Sequence, residues 1–570
     1  MLKHFISSQA TRRSLSLVIM LMMMVSLVAC NNDPTTPASS SAASSTPEST
    51  PTSKPSDVAG NYVKYATWTA PTGLFHPDLL TADYDSVVTG LIFENLVQFS
   101  PDFEYVPALA KSWTISEDGL SVTFDLVETN WHDGVPFTAE DVKFSLEFVG
   151  HKDYTGPRYS NVEKIAGMPE WHAGEAEEVT GIEIIDEHTI KITTSEILAP
   201  FLYHIGGRPM MPKHIWGEVE VANAESARDV LLKPIGTGPF VFKEYVPDSH
   251  VIVDANPDYH KGAPKIDGVI LMAVAQDTAQ AQLIQGEIDY MAVSDFNPDS
   301  LQLFEDAGIT VQTAGLVAVQ YMGVNHRLEK FQPKEVRQAM AHAINRQGIV
   351  DNLLFGEGNV ANNPFPTTIW AYPGEEDLNP YEYDSAKAIA LLEGIGYSFD
   401  ADAKVMSDPE GNPVKWVLKY PSGNIPREQA AAVIQDNFKD IGIELDLILL
   451  EFNAMSDQVK AEDFELFLMG MGTSFDADQK YIWQTGAEFN YAGWADELTD
   501  QLLDDGMRHL DIETRKAIYH QWAEHMNEHI PNVWLYNWNG GIAVSPKLKN
   551  VTYYAGGSFF AIENWEYVAD

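Results

Sequence analysis

The chain has 570 residues, a formal net charge of −46 and one cysteine. That charge excludes a nucleic-acid backbone as partner, which needs a basic face. A single Cys excludes an internal disulfide and argues against a thiolate metal site. With 45% hydrophobic residues, the length suits about two to four domain-sized units.

At the amino end, residues 15–29 form an apolar run behind Lys3, Arg12 and Arg13. The run is too short and wrongly flanked for a spanning helix, which needs roughly 20 apolar residues. It ends in Leu27-Val28-Ala29-Cys30. Small residues before a lone Cys resemble the lipobox of bacterial lipoproteins. That resemblance implies a signal peptide over 1–29, removed by cleavage, and a diacylglycerol on Cys30. Residues 30–56 are dominated by Ser, Thr, Pro and Ala. They have too little apolar surface to offset the entropy of ordering and read as a disordered tether between anchor and body.

In the body, residues 120–127 alternate with period two, as a half-buried strand does. Thr138-Ala-Glu-Asp opens a helix, with Thr138 as cap and Glu140 or Asp141 closing the box. Residues 182–192 read as a hairpin around Asp186 and Glu187. Gly236-Thr-Gly-Pro is a tight turn, lacking the Lys and following helix of a phosphate loop. Val336, Ala339, Met340, Ala343 and Ile344 recur at helical spacing. Asp384 caps a helix that stops near Gly394, and another helix covers 427–440. After Gly442 an alternating strand begins at Ile443, completing an α/β unit.

Ordered blocks along this body resemble the family 5 extracellular solute-binding proteins, the oligopeptide, dipeptide and nickel receptors of ATP-binding-cassette importers. The blocks are Ala110-Lys-Ser-Trp-Thr-Ile-Ser-Glu-Asp-Gly, Trp131-His-Asp-Gly-Val-Pro-Phe-Thr-Ala-Glu-Asp-Val, Pro234-Ile-Gly-Thr-Gly-Pro-Phe, Val336-Arg-Gln-Ala-Met-Ala-His-Ala-Ile-Asn, Tyr383-Asp-Ser-Ala-Lys-Ala and Asn490-Tyr-Ala-Gly-Trp. The resemblance implies an α/β fold of the two-lobed periplasmic-binding-protein type II kind, with an extra domain in the first lobe. Lobe 1 would comprise 57–100, 231–318 and 533–570, with the extra domain over 101–230 and lobe 2 over 319–532. Hinge crossings are expected near 319–325 and 533–536. A ligand held between the lobes would bias their closure, which a membrane permease reads.

The resemblance also directs attention to 470–483. The family form there is Gly-Trp-x-x-Asp, whose carboxylate meets the ammonium of a peptide. Here Met471 and Ser474 stand at the Trp and Asp positions, and Asp476 and Asp478 lie just beyond. Either is a candidate partner for a ligand ammonium, since a carboxylate in a dry cleft needs a cation. Trp483, Trp494, Tyr536 and Trp538 are candidate aromatic walls. Asn490 and Asn325 are candidate hydrogen-bonding partners for a ligand main chain, and Thr81 and Asp83 are candidate first-lobe contacts.

The expected function is capture of a peptide for an ABC permease by a monomer. It needs no cofactor or metal and meets the membrane through its lipid only, on the outer face of the cell membrane. Within the same class, an oligosaccharide or a nickel chelate is the alternative ligand. A different class is raised by His525-Met-Asn-Glu528-His529, whose spacing matches inverted zinc peptidases. With 41 residues beyond it and no G-x-S-x-G stretch, the receptor reading is preferred to a secreted metallohydrolase.

Overall fold

The structure is a computed structural model that describes residues 58–80, 82–293, 296–554, 556–557 and 559–568. The expected signal peptide, Cys30, the tether and Thr81 lie outside the described residues.

Two sheets share one long strand, Asn532–Val544. In lobe 1 the order runs Phe240–Val246, His250–Ala255, Gly268–Ala273, Tyr62–Thr67, Tyr290–Val293 and then the shared strand. In lobe 2 it runs Glu444–Leu450, Lys415–Pro421, Leu466–Gly472, Ala318–Val324 and again the shared strand. Residues 532–538 of that strand pair with 320–323 and 358–360, whereas 539–544 pair with 310–315 and 290–293. The return crossing therefore falls between Trp538 and Asn539, a little beyond the expected 533–536. The outward crossing is the short link from Thr310–Gly315 to Ala318–Val324.

Local sequence explains the unit that faces the cleft. Lys415–Pro421 is parallel to both Glu444–Leu450 and Leu466–Gly472, and a parallel pair needs a crossover helix. Asn424 starts that helix, Ile425–Asp440, accepting a hydrogen bond from Arg427 N at 3.1 Å, with Pro426 in the first turn. Ala430, Ala431, Ile434 and Phe438 bury its inner face. Gly442, at φ 78°, supplies the left-handed turn into the next strand.

The extra domain is a four-stranded antiparallel sheet, ordered Ala110–Ile115, Ser121–Leu126, Thr189–Thr193, Ile182–Asp186. Helix Ala139–Gly150 packs on it, and its capping box is formed by Thr138 and Asp141. The expected hairpin at 182–192 is present, with Ile182 opposite Ile192. Gly236 and Gly238 have a steric rather than a dihedral reason: a Cβ on either would run into the carbonyl of Ile92.

Candidate functional site

The parallel strands of lobe 2 point their carboxyl ends at lobe 1, where α/β sheets place their ligands. The loop leaving Leu466–Gly472 makes the contact. The ring of Phe475 lies 5.4 Å from Phe99 and stacks at 5.2 Å on Phe103. Ala199 N donates to Met507 O at 2.8 Å. His204 Nε2 stands 3.5 Å from Asp478 Oδ2. The lobes thus meet around the two acids singled out in the sequence.

Those acids differ in what they hold. Asp476 is 4% exposed and forms a bidentate pair with Arg515, itself 5% exposed: Nη1 reaches Oδ2 at 3.1 Å and Nη2 reaches Oδ1. Arg515 is fixed by Gly506 O at 2.9 Å and by the faces of Trp370 and Tyr519. Burial raises the Asp476 carboxyl's pKa and the arginine opposes it. With both oxygens held by a guanidinium, Asp476 has its counter-charge within the protein. Ala477 turns the chain with φ 73°, a costly angle for a residue with a Cβ, between Asp476 and Asp478. Asp478 accepts from Lys480 N at 2.9 Å, and its other oxygen faces His204. Asn161 Nδ2 lies 2.8 Å from His204 Nδ1; donating there, it leaves Nε2–H directed at Asp478.

Arg427 supplies the opposite charge. Its Nε donates to Gln320 Oε1 at 2.8 Å. Its two terminal nitrogens make no hydrogen bond or ion pair among the described residues. Burial lowers its pKa, and the charged-form support comes from Tyr536 and Tyr321 rather than from a carboxylate. Tyr536 beside it is raised to about 12 by burial, with Arg427 opposing. Gly470 makes room for this side chain, since a Cβ there would lie 2.7 Å from Nη2. Sequence reading placed Arg427 at a helix start and gave it no further role. The available signal was its position: a cation in the first turn opposes the helix dipole.

The remaining candidates divide. Tyr536 and half-buried Trp538 lie at the crossing, with ring centroids 6.5 Å apart. Asp83 is exposed in the first turn of Asp83–Ile92. Trp483, 2% exposed, packs edge-on against Trp534 at 5.3 Å and belongs to the lobe 2 core. Asn325 lies just past the end of a strand whose start, Ala318, opposes Gly472. Seven rises of about 3.3 Å put it roughly 23 Å from the cleft edge, and it bonds Phe464 O at 2.8 Å. Asn490 closes its own loop through Gln484 O and Trp494 O, and Trp494 packs on His326. Both line a separate lobe 2 hollow with Arg327. The amides of Asn325 and Asn490 and the rings of Trp494 and Trp483 are thus engaged within lobe 2. In the zinc-like trio, His525 faces Asp496 at 2.8 Å while Glu528 reaches Lys334 at 2.5 Å. His525 and Glu528 thus engage groups outside the trio. No helix among the described residues is long and apolar enough to cross a membrane.

Two α/β lobes, a shared crossing strand and a charged cleft between them define a ligand-capturing protein of the type II periplasmic-binding kind. The profile described as bacterial extracellular solute-binding proteins, family 5 middle, matches residues 104–493. The chain belongs to that family of extracytoplasmic receptors. It is 28% identical over 499 residues to the oligopeptide-binding protein AppA of Bacillus subtilis (strain 168), covering 86% of this chain and 89% of that one. To di/tripeptide-binding protein 1 of Pseudomonas aeruginosa (strain UCBPP-PA14) it is 27% identical, over 81% of this chain and 86% of that one. The structure of Bacillus subtilis AppA in complex with a nonapeptide matches with a TM-score of 0.73 at 27% identity, over 90% of this chain and 99% of that chain.

Proposed function

We propose that the protein captures a peptide between its lobes and hands it to the permease of an ABC transporter. The observation that carries this is Arg427, a half-buried guanidinium with no carboxylate partner among the described residues, in a chain of 82 acidic residues. Such a charge is costly to keep unless a ligand anion completes it. Across the cleft surface, Asp478 offers a carboxylate to a cation. A zwitterionic chain satisfies both: its ammonium at Asp478 and its carboxylate at Arg427, with Tyr536 and Trp538 as walls. The names of the relatives, oligopeptide- and di/tripeptide-binding, agree with that chemistry. Lobe closure would then be the state the permease recognises. The protein acts as a monomer without catalysis, and its body is tethered by residues 30–56 to a lipid on Cys30 at the outer face of the membrane.

The test is calorimetric titration of tetraalanine and N-acetyl-tetraalanine into the wild type and Asp478→Asn. The substitution is expected to weaken the free-amino form by about tenfold and the acetylated form much less. Equal losses for both forms would remove the ammonium contact.

A further inference from the structure

A second cavity, of ≈ 380 Å³, lies in lobe 1 between helix Asp83–Ile92 and the extra domain. Its floor is an ion pair between Arg208 and Asp78, 6% and 2% exposed. An ion pair this buried is rarely more stabilising than apolar packing would be, so its presence under a cavity calls for a use. Only one terminal nitrogen of Arg208 has a hydrogen-bond partner among the described residues, Asp78 Oδ1; a guanidinium has five N–H donors, and Arg208 lines the cavity. Arg158 stands on the rim and makes no ion pair among the described residues, although its charge reaches Asp78. Glu94 also lines the space but is committed to Tyr259 at 2.9 Å and His260 at 3.0 Å, with Lys261 at 3.7 Å. Two guanidiniums therefore share one carboxylate, and the cavity holds excess positive charge in a chain of net charge −46.

The cavity adjoins the interlobe site. Tyr203 lines it, and the Tyr203 phenol lies within electrostatic reach of Arg158 on one side and of Asp476 and Asp478 on the other. Asn161, also in the lining, bonds His204, which faces Asp478. One side chain thus separates this cavity from the proposed ammonium site.

We infer that the cavity is a subsite for a ligand carboxylate, the side chain of an Asp or Glu at or next to the amino terminus of the captured peptide, held by Arg208 and Arg158. The inference rests on the peptide reading. A planar fork with free donors suits a carboxylate better than an amide, because only the anion satisfies charge and hydrogen bonds together. A Gln or Asn side chain of the same shape leaves the excess charge uncompensated.

The experiment titrates full-length protein with four peptides: Glu-Ala-Ala-Ala, Gln-Ala-Ala-Ala, Ala-Glu-Ala-Ala and Ala-Gln-Ala-Ala. Free glutarate is a fifth probe. In at least one Glu/Gln pair the acid is expected to bind about tenfold tighter. Arg158→Ala, at an exposed position, should bring that ratio to within about twofold. Arg208→Met should do the same, with thermal unfolding recorded alongside because Asp78 loses its partner. Equal affinity within both pairs overturns the inference and leaves the peptide reading intact, as does a ratio that survives Arg158→Ala. Binding of glutarate without any peptide keeps the carboxylate subsite and removes the peptide reading. No binding of any probe overturns both.

Discussion

Replacing Arg427 by Met separates ligand recognition from folding. Among the described residues the guanidinium makes one hydrogen bond, to Gln320, and meets no acid. Removing it forfeits about 1 kcal/mol for that bond. It also relieves a cation in the first helical turn, worth about 0.3–1 kcal/mol, and ends the cost of keeping an unpaired charge half-buried. Folding stability should therefore change by less than about 1 kcal/mol. Ligand binding should change far more, because a hydrogen bond to a charged partner contributes about 1.5–3 kcal/mol, or roughly 10- to 100-fold in affinity. The assay is calorimetry with tetraalanine as the free acid and as the carboxyl-terminal amide, beside urea unfolding of the unliganded protein. The free acid should lose most of its affinity and the amide little. Equal weakening of both, or a stability loss of several kcal/mol, would refute the reasoning and make Arg427 a structural residue.

Three further outcomes follow from the same geometry. Asp476→Asn leaves Arg515 buried without its counter-charge and should cost about 3–5 kcal/mol of stability, read by chemical unfolding; a neutral result would reassign Asp476 to the ligand. Phe475→Ala removes the aromatic contact between lobes, worth about 1 kcal/mol or more, so the unliganded protein should show a larger radius of gyration in solution scattering; an unchanged radius would dissociate Phe475 from closure. His326, pushed down to about 4 by burial and then by Arg337, stays neutral in the fold while the unfolded chain takes up a proton below its usual 6.5. Stability should thus be full above pH 6.5 and fall by about 3 kcal/mol as pH drops towards 4. His76, at about 3, acts with the same sign. His326→Asn should flatten that slope, and an unchanged slope would place its origin elsewhere.

What the sequence made legible was local. The capping box of Thr138 and Asp141, the cap at Asp384 and the 182–192 hairpin are written within a few residues of each other. The helix expected at 427 begins instead at Ile425, because Asn424 and Pro426 form a start signal that hydrophobic spacing does not weigh. Site residues were legible as a neighbourhood but not as individuals. Asp476 and Asp478 are two positions apart and read alike; only the fold brings Arg515, 39 residues on, to one of them. Asn325 and Asn490 sit in family-like blocks, yet strand direction carries Asn325 to the far edge of the sheet and loop closure consumes the amide of Asn490. His204, Phe99 and Arg208 come from another lobe, and no local pattern marks their approach.

The most direct test of the central claim is native mass spectrometry of the protein purified without refolding, followed by denaturation and identification of whatever is released. The account predicts a set of short peptides, each with a free carboxyl terminus and enriched in Asp or Glu near the amino end. Release of an oligosaccharide or a nickel chelate in their place would contradict it.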